Sequence, residues 1–407
     1  MPGSGNASAG EILELVRTGQ VRTRRELQEV TGLSRSTLAL RMTALTAAGY
    51  VREVGQVAGT TGRPAKILSF DEDRQLVVAV DLGATHAHVA LIDGGGRILS
   101  EASSELRIDS GPDDVLRYVT RRITELLGRS GRAVSEVAGV GVGIPGPVRF
   151  ATQRPNTPPL MPGWHDYPVA DRLSAALGIP VFIDNDANLM GLGETRARYS
   201  DAPSVLFVKV GTGIGAGVIL HGQPERGIAG GAGDIGHIRI VGANAGRPCT
   251  CGATGCLATE ASGGALARQL TEAGTPVTSI QDVARLLAAG DALAVSLTER
   301  AGHLLGEVLA TSVALLNPAV LVLGGVLPAA GPHLLQAVRE SIFQRTVPLA
   351  TRELTMAVST LGADAAVQGA RHLVIDQTFS AAAVDARLAR GEQAAARLAR
   401  GEQAAAR

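Results

Sequence analysis

The three cysteines of the chain lie close together, at Cys249, Cys251 and Cys256. Thiolates and imidazoles are the usual ligands of tetrahedral zinc, and His237 is the nearest histidine upstream of the cluster. An odd number of cysteines in a cytoplasmic chain argues against disulfides. The alternatives are free thiols or an iron–sulfur cluster, which usually takes a fourth cysteine. We predict a structural zinc ion on these four residues, with no coordination position left for water.

A second group of polar residues follows the apolar run at 181–183. At the end of a strand, the carboxylate of Asp186 would accept the proton of a hydroxyl group that attacks a phosphoryl group, a role that depends on hydrogen-bond reach. Asn185 would orient the molecule that carries this hydroxyl. The alternative is structural, because Asp184 or Asp186 would also serve as the N-cap of the helix that starts here.

Three apolar runs that predict strands end in glycine-rich turns, at residues 81–85, 211–217 and 324–325. Because glycine tolerates positive φ and has no side chain, backbone N–H groups in such turns approach phosphate oxygens closely. One turn alone is weak evidence, but two turns after buried strands predict two lobes around a cleft. Asp81 would then lie near Mg²⁺ and phosphate, unless it only caps its own turn.

Residues 1–70 predict three short helices followed by a β-hairpin. Thr23 and Glu26 have the spacing of a capping box at the second helix, and Ser34 can cap the third. Two short helices around a tight glycine turn outline a helix-turn-helix, and the hairpin has the pattern of a wing.

The predicted third helix exposes its N-terminal half, which in such domains enters the major groove of DNA. The residues that we predict to contact DNA are Arg35, Ser36, Thr37 and Arg41 on this helix and Arg63 in the wing. Basic residues outnumber acidic ones by nine to five between residues 1 and 70, which favours a polyanionic partner. The alternative is a three-helix cap with solvated arginines and a hairpin that serves packing.

The length and composition of the chain limit the class of protein that carries these sites. A chain of 407 residues predicts two to three domains, which excludes a peptide hormone or one small binding module. Hydrophobic residues make up 45% and charged residues 19%, with 51 glycines, and from residue 75 buried strands alternate with helices, as in an α/β protein. We find no run long enough to span a membrane and no signal peptide, and we expect a cytoplasmic protein without a membrane partner.

Together these stretches resemble the ROK family of repressors and sugar kinases, whose domain has the actin-like, hexokinase-like ATPase fold. The resemblance covers nearly the whole chain. It implies an N-terminal winged helix-turn-helix followed by a two-lobed α/β ROK domain. It also implies sugar contacts from Asn185, Asp186, Asp234 and His237. The nucleotide contacts that it implies are Asp81, Gly83, Thr85, Gly211, Thr212, Gly213, Gly324 and Gly325.

The chain departs from the pattern of the family's kinases in the sugar site. Asp234 and Ala258 stand where those kinases show glutamate. Glu260 is no obvious substitute, because it lies about 200° around a helix from position 258. A missing partner for a buried hydroxyl costs on the order of 1–3 kcal/mol, which changes the preferred sugar or weakens its binding about tenfold or more. The nucleotide side departs less, since only Ala84 replaces a usual glycine there while Asp81, Gly83 and Thr85 remain.

The chain therefore divides into a DNA-binding domain at residues 1–72, a sugar-binding ROK domain at 73–378 and a tail at 379–407. The tail repeats ten residues, at 387–396 and 397–406. This period fits neither coiled-coil repeat, and the recurring glycine weakens a helix by about 1 kcal/mol. We expect a frayed or disordered tail; a helix that pairs with a neighbouring subunit is the alternative.

Three functions remain open at this point. The first is a transcriptional repressor, a homodimer or homotetramer, whose binding to operator DNA is modulated by a sugar or sugar derivative. The second is an ATP-dependent sugar kinase that carries a DNA-binding domain, with Asp186 as the base and Mg²⁺-ATP as the donor. The third is a DNA-bound scaffold whose cleft has lost its ligand.

Overall fold

The computed structural model describes residues 6–56, 66–71, 75–240 and 246–390. The wing tip with Arg63 lies outside these residues, as does the tail from 391 onwards. None of the described helices is long and apolar enough to cross a membrane.

The N-terminal domain has three helices and a two-stranded antiparallel sheet, and its elements are α1 (Ala9–Arg17), α2 (Arg24–Thr31), α3 (Arg35–Ala47), β1 (Val51–Gln56) and β2 (Lys66–Phe70). Ser34 caps α3, because its hydroxyl accepts the backbone N–H of Thr37 at 3.1 Å. At α2 the predicted capping box is only half formed. Thr23 accepts the N–H of Glu26, but the carboxylate of Glu26 accepts the N–H of Arg22 instead. The arrangement is typical of winged helix-turn-helix domains.

The first lobe contains a five-stranded sheet in the order β5-β4-β3-β6-β9. Strands β3, β6 and β9 are parallel, β4 is antiparallel to β3, and β5 is antiparallel to β4. The elements are β3 (Leu76–Leu82), β4 (His86–Asp93), β5 (Ile98–Glu105), α4 (Pro112–Ser130), β6 (Val137–Ile144), β7 (Val148–Arg149), β8 (Arg154–Pro155), α5 (Val169–Leu177), β9 (Val181–Asn185) and α6 (Asp186–Arg198).

The second lobe repeats this topology, with the strand order β12-β11-β10-β13-β14. Its elements are β10 (Ser204–Val210), β11 (Ile214–Leu220), β12 (Gln223–Glu225), α7 (Ala258–Ala261), α8 (Gly263–Glu272), α9 (Ile280–Ala288), α10 (Ala292–Leu316), β13 (Val320–Gly324), α11 (Val326–Ala329), α12 (His333–Arg345), α13 (Pro348–Thr351), β14 (Thr355–Val358) and α14 (Ala365–Thr378). The α/β fold with two similar lobes confirms the predicted fold class.

Helices α6 and α14 lie between the two sheets and pack directly on each other. Their backbones approach closely because each helix has a glycine at the contact. A Cβ atom at Gly369 would lie 1.8 Å from the backbone oxygen of Leu189, and one at Gly193 would lie 2.3 Å from that of Ala365. Helix α6 begins at Asp186, at the polar end of β9. Its contact with α14 therefore links this polar end to α14.

The N-terminal domain shares a hydrophobic core with the end of α14. Val374, Ile375 and Phe379 pack in one cluster with buried residues of α1, α3 and β2. The ring of Phe379 lies edge-on to Phe70, with 5.0 Å between the centroids, and to Tyr50, with 5.5 Å. The DNA-binding domain predicted for residues 1–72 is therefore packed on the second domain rather than separated from it by a linker.

The structure corrects our prediction for the start of the tail. Residues 381–390 are helical rather than disordered, and we call them the C-terminal helix. Val384 is fully buried in the shared core, and Asp385 accepts the backbone N–H of Gly10 at 2.8 Å. The sequence signal was weak because the ten-residue repeat suggested low complexity, whereas the burial depends on contacts with α1 more than 370 residues away.

Candidate functional site

A cavity of about 880 Å³ lies in the cleft between the lobes. Most of the predicted sugar- and nucleotide-contacting residues line it, namely Asp81, Gly83, Thr85, Asn185, Asp186, Gly211, Thr212, Gly213, Asp234, His237 and Gly325. Gly324 is not among the lining residues. It lies within β13, where a Cβ atom would collide with the ring of Phe207 at 2.2 Å. The structure thus brings all but one of these side chains and turns to a single cleft.

Asn185 and its neighbours hold the start of α6. The side-chain oxygen of Asn185 accepts the N–H groups of Ala187 and Asn188, which makes Asn185 the N-cap, and its amide donates to the backbone oxygen of Gly146 at 3.0 Å. Our alternative that Asp184 or Asp186 caps the helix is therefore wrong. Asp184 is buried and forms an ion pair with Arg226 at 2.7 Å.

Asp186 points into the cleft with only 5% of its surface exposed. One carboxylate oxygen accepts the backbone N–H of Ala187 at 2.7 Å, and the other accepts a hydrogen bond from the ammonium group of Lys209. Burial raises the pKa of Asp186, although the charge of Lys209 opposes the shift. Sequence reasoning missed Lys209, which stands in the apolar run of β10.

Asp81 lies near the end of β3, in the same lobe as Asp186. Its side chain is buried and lies 3.3 Å from Nε2 of His86. Although burial works in the opposite direction, the hydrogen bond with His86 and the charge of Lys209 lower the pKa of Asp81. Among the described residues, Oδ1 of Asp81 has no hydrogen-bond partner. One buried carboxylate oxygen is thus available to a ligand or water.

The three cysteines and His237 converge beside the cavity, and their ligand atoms all lie within 4.8 Å of one another. Sγ of Cys251 is 3.7 Å from Sγ of Cys256, and Sγ of Cys249 is 3.4 Å from Nδ1 of His237. Tetrahedral zinc with bonds of about 2.3 Å to sulfur and about 2.0–2.1 Å to nitrogen requires separations of about 3.8 and 3.6 Å. The four residues therefore fit a metal ion.

Two glycines allow the cysteine loop to fold back on itself. Gly252 and Gly255 have φ values of 87° and 71°, a region that side chains disfavour. The loop is closed by hydrogen bonds between the backbones of Cys249 and Ala253 at 2.8 Å and of Gly252 and Cys249 at 3.0 Å.

His237 connects the metal cluster with the cleft. Nδ1 faces Cys249, whereas Nε2 lies 4.0 Å from the carboxylate of Asp234, and burial raises the pKa of that carboxyl. Nearby, Ala258 lines the cavity but Glu260 does not. The carboxylate of Glu260 lies 3.4 Å from Arg247, so it does not replace the glutamate that the sequence lacks at position 258.

Four of the five residues predicted to contact DNA lie in the first seven positions of α3, and the fifth, Arg63, lies outside the described residues. Arg35 and Ser36 are exposed, whereas Thr37 and Arg41 are half-buried. The sequence did not single out Leu40, which is 73% exposed on the same helix. An exposed leucine on a groove-reading helix is suited to contact with thymine methyl groups.

A family model described as the ROK family matches residues 77–377. The chain belongs to the ROK family. A glucokinase of Halalkalibacterium halodurans is 31% identical over 74% of this chain and 96% of its own length. The xylose repressor of Bacillus spizizenii is 27% identical over 90% of this chain and 94% of its own length.

The glucokinase and the xylose repressor differ in how much of this chain they match. Residues 77–407 alone cannot supply the 90% share matched by the repressor, so that match reaches into the N-terminal domain. The crystal structure of a ROK family transcriptional regulator, described as a homologue of the E. coli MLC protein, superposes with a TM-score of 0.77. It is 26% identical and covers 93% of this chain and 98% of its own.

Proposed function

We propose that this ROK protein is a DNA-binding transcriptional repressor whose affinity for its operator is modulated by a sugar or sugar derivative bound in the cleft. The observation that carries the proposal is the core shared by the N-terminal domain and α14. Because α14 also packs on α6, a ligand that moves α6 acts on the DNA-binding surface through one continuous packed structure.

Ion pairs also link α6, α14 and α1. Asp376 on α14 binds Arg196 of α6 at 3.3 Å and Arg17 of α1 at 2.5 Å. All three side chains are at least 70% buried, so water screens these pairs less than it screens surface pairs. Asp376 therefore joins the helix that starts at Asp186 to the first helix of the N-terminal domain.

The proposed sugar contacts are Asn185, Asp186, Asp234 and His237, and a structural zinc ion on the cysteine cluster would hold His237 in place. The sugar changes DNA binding only if it prefers one arrangement of the two domains, because equal affinity for both would shift no population. In a dimer, two N-terminal domains would contact the half-sites of a pseudo-palindromic operator.

The DNA-binding surface is tested with Arg41→Ala and a duplex selected from a random-sequence library. In a titration at fixed salt, we expect affinity to fall by about 1–3 kcal/mol if Arg41 contacts a base. Arg117→Ala is the matched control, because Arg117 is exposed on α4 and pairs only with Asp114 among the described residues. Unchanged affinity of Arg41→Ala would remove α3 from the proposed interface.

Calorimetry of the intact protein against a panel of sugars tests the cleft. Binding by one sugar, together with a change in operator affinity at saturation, supports the regulator. If no sugar in the panel gives a binding heat or a thermal shift, the third function, a DNA-bound scaffold without a ligand, is favoured.

An active sugar kinase is the second candidate, and the 31% identity with a glucokinase favours it. Asp186 and the glycine-rich turns line the same cavity, as a kinase would need. Sugar-dependent release of ADP that Asp186→Asn abolishes would establish this activity.

A further inference from the structure

Lys209 occupies the floor of the cleft. It stands in β10 between Val208 and Val210, which are fully buried on the opposite face of the sheet. Its own side chain lines the cavity and retains only 19% of its exposure. A lysine ammonium in such a place is costly unless counter-charges surround it.

The counter-charges are the two carboxylates of the cleft. The ammonium group donates directly to Oδ2 of Asp186, and its charge also acts on Asp81. The three side chains come from different elements, namely β3, the start of α6 and β10. Lys209 is thus a buried cation whose charge favours the ionised form of both carboxylates in one cavity.

This arrangement fits only part of what Mg²⁺-ATP requires. The glycine-rich turns that line the cavity are suited to bind phosphate. Oδ1 of Asp81, which has no hydrogen-bond partner among the described residues, is suited to the metal ion that accompanies phosphate. Both oxygens of Asp186, however, already accept hydrogen bonds, one from Ala187 and one from a cation. The ammonium group of Lys209 works against the uptake of a further proton by Asp186, in opposition to burial, and a divalent ion beside Asp81 would meet the positive charge of Lys209.

We propose that Lys209 is a built-in counter-cation for this carboxylate pair, bonded to Asp186 and acting on Asp81 through its charge, so that the cleft disfavours a divalent metal ion and binds a sugar without transferring a phosphoryl group. The inference rests on the proposed sensing function and adds its chemical reason. A sugar hydroxyl can still donate a hydrogen bond to Asp186, because a carboxylate oxygen has more than one lone pair. Binding is therefore retained while proton abstraction is suppressed.

The test uses the full-length protein and Mg²⁺ alone. In Lys209→Met the two carboxylates lack a cation, and we expect Mg²⁺ to bind about tenfold or more tightly than in the wild type, measured as a shift of the melting temperature. Adding Asp186→Asn to Lys209→Met removes the excess charge and should abolish this response. Lys209→Arg keeps the cation and should behave as the wild type does.

Should Lys209→Met fail to fold, Lys209→Gln keeps a hydrogen-bond donor without the charge and tests the same response. An equal response to Mg²⁺ in the wild type and the neutral variant would overturn the inference. So would sugar-dependent ADP release by the wild type that Asp186→Asn abolishes. Failure to bind any DNA duplex would instead overturn the proposed regulator and leave the role of Lys209 intact, so the two failures are distinguishable.

Discussion

His237 links two sites through the two nitrogens of one imidazole ring. Nδ1 faces the sulfur of Cys249 and Nε2 lies 4.0 Å from the carboxylate of Asp234. A metal ion on Nδ1 would fix the ring and leave the proton on Nε2, where a ligand can accept it. The metal cluster would then set the direction of one hydrogen bond to the sugar without touching the sugar itself.

Replacing Cys256 with serine tests this dependence. Cys256 is fully buried, and serine is a poor ligand for zinc, so we expect loss of bound metal and about tenfold weaker sugar binding as His237 loses its orientation. Elemental mass spectrometry gives the metal content and calorimetry gives the affinity. Thr254→Ser in the same loop is the control. Retention of stoichiometric zinc in Cys256→Ser would contradict the assignment of this ligand.

The local signals among these residues were sufficient for prediction, whereas the distant ones were not. The cysteines and His237 lie within one short stretch of sequence, and their residue types specify a metal. Lys209 has no such signal. A single lysine in an apolar strand gains its role only from Asp81 and Asp186, which other elements bring to it.

At the scale of elements, the contact between α6 and α14 controls the geometry of the cleft. Two helices normally lie 8–10 Å apart, and the glycines at positions 193 and 369 remove the side chains that would separate them further. The sequence predicted a helix at the end of β9 in a two-lobed protein, but nothing in its periodicity indicated which helix would pack on it. Pairing depends on shape at a contact between residues far apart in the chain.

Gly369→Ala should disturb this contact. The added methyl group would overlap the backbone of Leu189, and we expect the free energy of unfolding to fall by about 1–3 kcal/mol. Gly128→Ala is the matched control, because Gly128 is helical in α4 and a Cβ atom there meets nothing within 4 Å. The control should gain about 0.5–1 kcal/mol. Equal effects of the two substitutions in urea titrations would exclude close packing as the cause.

His372 makes the junction at α14 sensitive to pH. Burial, together with the charges of Arg371, Arg196 and Arg17, lowers the pKa of His372 well below its usual range. In the unfolded chain the same group binds a proton near pH 6.5. Between these two values the unfolded state holds more protons, so the free energy of unfolding rises with pH there and falls as the solution is acidified below about pH 6.5.

His372→Gln should flatten this dependence relative to the wild type, measured as the midpoint of urea unfolding at several pH values. Asp376 is retained in the variant and continues to pair with Arg17 and Arg196. The control is His333→Gln, which removes a more exposed histidine that pairs with Glu299 at 3.4 Å. If His372→Gln shows the slope of the wild type, the histidine does not contribute.

At the scale of the whole molecule, the C-terminal helix completes the core beneath the N-terminal domain. Val384 is fully buried, and the guanidinium of Arg387 lies over the rings of Tyr50 and Phe379. The first and last helices of the described residues thus meet in one cluster. Sequence patterns predicted each domain separately. Such patterns are local, so they could not indicate a contact between the first and last described helices.

Two truncations separate the helix from the remaining tail. Deleting residues 381–407 should lower the free energy of unfolding by about 2 kcal/mol or more, since it uncovers Phe379 and removes Val384, and should weaken DNA binding. Deleting residues 391–407, which lie outside the described residues, should leave both properties within error if the sequence-based prediction of a frayed tail holds for them. Urea unfolding and duplex titration measure the outcome. Equal loss in both truncations would place the stabilising contacts beyond residue 390.

The shared core also determines how this protein can be recombined with its ROK relatives. The N-terminal domain does not end where its last strand ends, because apolar side chains of α1 and β2 are covered by Phe379 and the C-terminal helix. In a chimaera joined only near residue 72, the N-terminal domain of one protein would have to pack on the C-terminal helices of another, and the two surfaces would not be complementary. Exchange of DNA specificity among such proteins therefore requires both chain termini to be transplanted as a unit, or compensating changes along the last two helices.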